Sequence, residues 1–287
     1  MHRTMLFPEM KKKAVTLSYD DGVDTDIELI NIMNRYGLKG TFNINTGFFA
    51  KEPIEKVPGG PFHRRMTAEN AYKLYEENGM EVAVHCVKHP YLEQLPINEV
   101  VSEVLDDRTA IERATGKICR GMAYPQGTTG AVVVEALKAC GILYARTTES
   151  RLDFRIPEDW LRLSATCHHN NPRLMELADQ FVNAQPTTAM MFYLWGHSYE
   201  FERDNNWNVI EEFAQKIGGH DDIWYATNSE IFEYIEAYKQ LRSGDGGRIL
   251  YNPTVKTLCF RFYDCGRDHN LSIAPGETMK IEEPIEI

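Results

Sequence analysis

Short apolar, β-rich runs alternate along this chain with stretches whose apolar residues recur at helical spacing. AVTLSYD (14–20) reads as a strand, and TDIELINIMNRYG (25–37) as the helix after it. Thr25 and Glu28 have the spacing of a capping box at its start, and Gly37 is placed to stop it. GTFNINTGFF (40–49) is the next strand; a helix at 67–79 then leads into the strand EVAVHC (81–86). A longer helix is expected over about 97–115, ahead of ICRGMAYPQG (118–127). The helix 132–141, the strands 142–148 and 161–169, the helix 172–184 and the strand 189–197 continue the series, which 207–219, 223–227 and 228–242 complete. About eight strand–helix alternations imply parallel strands with helical crossovers, so the expected fold is an α/β barrel, (β/α), of about seven or eight parallel strands over residues 1–242. RSGDGG (242–247) breaks the composition, and 243–287 alternates apolar and polar residues without a helix. That segment is expected to be a small β-rich extension, packed on the barrel or used in a homo-oligomer contact.

Composition narrows the picture. With 43% hydrophobic and 25% charged residues the chain reads as a globular protein with a sizeable core. Its net charge of −11 argues against a nucleic-acid partner, which needs clustered cations. Six scattered cysteines without CxxC spacing suit a reducing compartment better than a disulfide framework. The first residues, MHRTMLFPEMKKKAV, contain no apolar core of a leader, and no run approaches the length of a membrane span, so the reading is cytoplasmic.

The candidate chemistry falls at strand ends: Asp20–Asp21, His85, Pro125–Gly127, His168 and His197. In a parallel barrel those ends carry the active site. Adjacent carboxylates at a strand end repel unless a positive charge joins them. His85 and His89 would lie roughly 13 Å apart on a strand but about 5–6 Å apart on one helical turn, so sharing a cation requires the strand to end near His85 and turn. Taken alone the pair reads as surface histidines. With a carboxylate from another strand end it becomes the donor set of a hydrolytic metal site. One of Asp20 and Asp21 could then bind the cation and the other serve as general base. Successive strand residues point to opposite faces, which separates the two roles. His197, on a further strand end, is the candidate acid.

These residues resemble the motifs of the polysaccharide deacetylases, the NodB-homology fold of carbohydrate esterase family 4. LSYDDG (17–22) is similar to the family's TFDDG, and His85-Cys-Val-Lys-His89 to its His-Ser/Thr-x-x-His. AYPQG (123–127) resembles the end of the third motif, and LWGH (194–197) the fifth. The resemblance implies a distorted (β/α) barrel and an N- or O-deacetylase with one divalent metal ion: zinc first, with Co, Mn, Fe or Ni also suited to the donors. By position it makes Asp20 the base, Asp21, His85 and His89 the metal ligands, and His197 the acid. Gln126 would stabilise the oxyanion through its backbone N–H, beside Tyr124, and Trp195 would line the acyl pocket. The sequence departs from the pattern in three places. Cys86 replaces Ser or Thr. Ala123 stands where the third motif has Arg, which leaves Arg120, Arg146 and Arg162 as substitutes. The fourth motif's acid has no clean match: Asp159, before Trp160, and Asp153, before Phe154, are the candidates, and His168 at the end of its own strand is a further candidate to enter the pocket. The implied substrate is an acetylated amino sugar or glycan. The alternatives are an amidase for a small N-acyl or ureide metabolite and an inert carbohydrate-binding barrel.

Overall fold

The structure, a computed structural model, describes residues 2–264 and 267–281. In chain order its elements begin with strands β1 (His2–Leu6) and β2 (Lys13–Asp20), helix α1 (Asp26–Arg35), β3 (Gly40–Ile44), α2 (Ala68–Glu77), β4 (Glu81–Val84), α3 (Ile97–Thr115), β5 (Gly121–Ala123) and α4 (Ala131–Ala139). There follow β6 (Tyr144–Ser150), β7 (Leu163–Ala165), β8 (Cys167–His168), α5 (Leu174–Asn183), β9 (Met190–Gly196), α6 (Ser198–Arg203), α7 (Trp207–Ile217), β10 (Ile223–Tyr225) and α8 (Asn228–Lys239). Five short strands end the chain: β11 (Arg242–Gly244), β12 (Ile249–Tyr251), β13 (Leu258–Asp264), β14 (Arg267–Ile273) and β15 (Thr278–Lys280).

The parallel sheet runs β7-β6-β5-β4-β3-β2-β9-β8, with β10 added beside the first half of β2. Its two ends, β7 and β8, are consecutive in sequence, so the path closes into the expected barrel. The hinge is Thr166: its N–H donates to Tyr193 O at 2.8 Å, while its carbonyl accepts from Leu152 N–H at 3.0 Å. The continuous strand expected over 161–169 is therefore a 3₁₀ turn followed by two short strands, because this segment exchanges β6 for β9 as its partner.

Alternation along the strands separates two layers. Val15, Leu17 and Tyr19 pack outward with Leu29, Ile30 and Met33 of α1. Thr16, Ser18 and Asp20 point inward to a polar column. Thr16 Oγ1 donates to Asn228 Oδ1 (2.9 Å), Asn228 Nδ2 to the Tyr193 hydroxyl (2.7 Å), and Asn43 Nδ2 to Ser18 Oγ and Asp20 Oδ1 (each 2.9 Å). Each buried polar group in that column thus meets a partner, as burial demands, and the column ends on the carboxylate of Asp20.

The capping box expected at Thr25–Glu28 does not form. Thr25 Oγ1 instead meets Ser198 Oγ at 2.8 Å, and Ser198 donates to buried Asp26 at 2.5 Å, tying α1 to α6. The capping box in the structure belongs to α8, between Thr227 and Glu230. The C-terminal strands form two small antiparallel sheets, β1-β13-β14 and β11-β12-β15, the first of which takes its edge strand from residues 2–6. They pack on the barrel through α8. Tyr234 donates to Leu6 O and accepts from Cys259 N–H, each at 2.8 Å, amid Leu250, Leu258, Phe260 and Ile273. Cys265 and the end of the extension, 282–287, lie outside the described residues; Cys86, Cys119, Cys140, Cys167 and Cys259 are buried free thiols. No helix among the described residues is long and apolar enough to cross a membrane.

Candidate active site

A cavity of about 580 Å³ opens at the C-terminal ends of the barrel strands, and Asp20, Asp21, His85, His89, Tyr124, Gln126, Trp195 and His197 all line it. The two aspartates do not divide between opposite faces. Asp21 has a φ of +88°, followed by Gly22 at +68°, so the chain leaves the strand in the left-handed region and brings both carboxylates to the same cavity. The alternation expected here stops one residue too early to separate them; their partners do so instead.

Asp20 is buried and held by Arg146, with His85 Nε2 and His197 Nε2 at 3.9 and 3.8 Å. Burial pushes its pKa up, but Arg146, His85 and His197 outweigh burial and keep it below the usual range. Arg146, itself buried on β6, lies with its guanidinium 4.3 Å from the centre of the Trp195 ring. Of the candidate substitutes for the family arginine, Arg146 alone reaches Asp20: Arg120 donates to Gly141 O, and Arg162 pairs with Asp159.

Asp21 takes different partners, His63 Nε2 at 2.9 Å and Arg65 at 3.1 Å. Burial would raise its pKa, yet the His63 hydrogen bond, His85 and Arg65 together depress it strongly. His63 and Arg65 come from the loop over 50–66, which is strapped down by Arg64. That buried guanidinium pairs with Glu202 (3.0 Å) and Asp24 (2.7 Å).

The histidine loop reaches its geometry without a helical turn. β4 ends at Val84, and Cys86 and His89 adopt left-handed φ values of +64° and +53° that fold the loop back, with ring centroids of His85 and His89 4.6 Å apart. With Cys86 where the family has a hydroxyl, Asn45 and Asp107 fix the loop. Asn45 Nδ2 donates to the carbonyls of His85 and Cys86, and Asp107 accepts from His85 N–H at 3.0 Å and Thr46 N–H at 2.8 Å.

The donor set fits a divalent cation. Donor atoms of Asp21, His85 and His89 lie within 4.8 Å of one another. His85 Nδ1 donates to Ala123 O at 2.8 Å, which turns its Nε2 lone pair into the cavity, and that buried nitrogen has no hydrogen-bond partner among the described residues. Burial also lowers the His85 pKa to about 4, keeping the ring neutral as ligation requires. Gln126 Nε2 lies 3.0 Å from His89 Nδ1; turning the amide over, so that its oxygen faces the ring and accepts from Nδ1–H, would leave the ring's Nε2 for the cation.

Other candidates lie elsewhere. The Tyr124 hydroxyl is committed to Leu161 O at 2.7 Å, leaving only its ring to line the cavity. Asp153 pairs with Arg151 and Arg155 outside the cavity, and Asp159 caps the 3₁₀ turn at 160–162. His168 does not line it either, and lies against Glu200 at 3.2 Å. Glu200, His63 and Arg65 were not singled out by the sequence; for Glu200 a signal existed, since it follows His197 by three residues at the start of a helix.

Solved structures share this architecture. A family 4 carbohydrate esterase from Streptomyces lividans, in complex with acetate, matches at 20% identity over 75% of this chain and 93% of its own, with a TM-score of 0.51. A protein from Mycobacterium smegmatis assigned as a polysaccharide deacetylase matches at 17% identity over 82% and 94%, with a TM-score of 0.57. The Xyl-CE4 domain of a multidomain xylanase from the hindgut metagenome of Trinervitermes trinervoides matches at 14% identity over 79% and 92%, with a TM-score of 0.50. At these identities the likeness is one of fold, that of the family 4 carbohydrate esterases. Residues 8–145 match the family model described as polysaccharide deacetylase. Comparison with curated proteins finds no match.

Proposed function

We propose that this chain is a metal-dependent hydrolase that removes acetyl groups, N- or O-linked, from an amino sugar or an acetylated glycan. The observation that carries the reading is that Asp20, Asp21, His85, His89 and His197 meet in one cavity while Arg146 pairs with Asp20 and not with Asp21. Asp21, His85 and His89 would hold one divalent cation, zinc first among those the donors accept. Bound there, a cation supplies Lewis-acid polarisation of an acyl carbonyl and raises the acidity of water. Asp20, kept ionised by Arg146 and outside the ligand set, takes the proton from the attacking water. His197 gives its proton from Nε2 to the leaving nitrogen or oxygen as the acyl bond breaks. The backbone N–H of Gln126 donates to the developing oxyanion, and Trp195 covers the acyl methyl.

The cavity falls within the ~300–1,000 Å³ typical of small-molecule sites, so a small N-acyl or ureide metabolite would fit as well as a sugar. Acetate or amine release should be measured across acetylated sugars, oligosaccharides and N-acyl metabolites, with and without chelator. Hydrolysis of an acetylated sugar that chelator abolishes and zinc restores is the expected result. His89→Ala should lose metal and turnover together. Unchanged metal content in that variant would overturn the ligand assignment, and release only from the non-sugar substrates would select the amidase.

A further inference from the structure

The fourth-motif candidates Asp153 and Asp159 lie away from His197, yet the structure places another carboxylate, Glu200, behind the ring. Glu200 Oε2 lies 3.7 Å from His197 Nδ1, while Nε2 on the opposite side faces Asp20 at 3.8 Å. The same Oε2 lies 3.2 Å from His168 Nε2 and 3.1 Å from His169 Nε2, and Oε1 is 3.6 Å from Arg203. A carboxylate oxygen among three imidazoles is either an ion site or a hub that fixes a carboxylate. His168 decides between them. The backbone N–H of Asn170 donates to His168 Nδ1 at 3.1 Å, so in the neutral ring the hydrogen is on Nε2, facing Glu200. A nitrogen that carries hydrogen cannot ligate a metal, but it stabilises an anion.

His169 is held by packing. It stacks on Tyr19 with centroids 5.7 Å apart and lies 4.1 Å from the Phe201 ring. Its Nδ1 is 2.0 Å from where a Cβ on residue 196 would be, so only glycine there admits the ring. Gly196 directly precedes His197; the turn that presents the acid also makes room for the support of its partner.

We propose that Glu200 is the positioning residue for His197: its carboxylate faces Nδ1 at an ion-pair distance without a hydrogen bond between them, favours the orientation that sends Nε2 to the reacting centre, and is itself flanked by His168 and His169 at ion-pair distances. This rests on the hydrolase reading above. Through the reaction Glu200 stays ionised; the proton leaves His197 Nε2 for the leaving group as the acyl bond breaks, and the ring regains one from solvent. The groups facing His197 are Asp20 and Asp21 from the end of β2, His89 from the histidine loop, His168 and Tyr199 around the ring, and Glu200 with Arg203 behind it. Asp20 is already engaged by Arg146, so Glu200 is the carboxylate left to offset a charged ring. The His197 pKa agrees: burial pulls it down, but Glu200, then Asp20 and Asp21, raise it above the ordinary value.

The test uses the whole 287-residue chain, loaded with zinc. The His197 ring is followed by NMR with labelled histidine, its signal assigned with His197→Gln. In Glu200→Gln its midpoint should fall by about one pH unit or more. Turnover should fall about 10- to 100-fold at little-changed KM, short of the roughly 10²–10⁴-fold loss expected on removing the acid itself, and the alkaline limb should shift down with the ring. If Glu200→Gln fails to fold, Glu200→Asp, which keeps the charge one methylene further back, should shift the ring the same way by less. An unmoved ring in a folded variant overturns the proposal. So does a second equivalent of zinc per wild-type chain that is lost in His168→Gln. If no acyl substrate is hydrolysed, the hydrolase reading fails while the ring titration still decides the Glu200–His197 coupling.

Discussion

Asp20 and Asp21 are chemically identical neighbours whose roles are set by what touches them. Arg146 holds Asp20 ionised, as the proposed base requires, and its loss should be felt in the pH profile. In Arg146→Gln the Asp20 pKa rises from its depressed position, so the acidic limb of kcat/KM should move to higher pH by about 1–3 units. An unmoved limb would assign it to another group. Asp20→Asn should keep its metal and lose about 10²–10⁴ in turnover, whereas Asp21→Asn should lose the metal; the reverse metal contents would exchange the roles. Much of this residue-level pattern was legible beforehand, since LSYDDG, the histidine pair and LWGH lie at strand ends in the family order. What was illegible is reach. Arg146 arrives because β6 carries it inward, and His63 and Arg65 arrive on a Pro- and Gly-containing loop with no period to read.

At the scale of elements, the segment most in need of support is the histidine loop, with two non-glycine residues in the left-handed region. Sequence spacing suggested a helical turn because helical geometry is the common way to bring i and i+4 together. The structure uses two backbone reversals, stabilised by Asn45 and Asp107 from neighbouring elements, which no local pattern announces. Asp107→Ala would strand the Thr46 donors and one acceptor of the His85 N–H. The expected cost is about 1–3 kcal/mol in stability and a roughly 10–100-fold loss of zinc affinity. Denaturant midpoints and competitive zinc titration would measure both, and wild-type zinc affinity in the variant would show that the loop holds its shape unaided. Barrel closure was only partly legible for a related reason: a strand that changes partner at Thr166 presents two short pieces rather than one periodic run.

Across the whole molecule, buried acids govern how stability varies with pH. Burial raises the Asp26 pKa to about 7, although Ser198 and Tyr75 donate to it, and it lies fully inside the protein. In the unfolded chain it titrates near 4, so between about pH 4 and 7 the folded chain holds the extra proton. Stability should therefore fall as pH rises through that window, by up to about 1.4 kcal/mol per pH unit from this group. Asp107 and Glu81, each raised by burial to about 7, add to the same slope. In Asp26→Asn one share of the slope should vanish, with one hydroxyl turning to accept from the amide. Urea midpoints at pH 5, 6, 7 and 8 would measure it, and parallel slopes for variant and wild type would show that Asp26 stays charged throughout.

The pairing of β1 with β13 sets a schedule for folding. Met5 lies opposite Phe260, so the strand is made roughly 250 residues before its partner. During synthesis the barrel strands can pair in order, yet β1 must wait, with apolar Leu6 and Phe7 uncovered, until the last fifth of the chain is made. Contacts of such long separation close slowly because the intervening chain loses its freedom before the contact gives anything back. The seam between barrel and terminal sheet should therefore be the last to form, and hydrogen-exchange labelling during refolding should find the amides of β1 and β13 protected after those of β2 and β3.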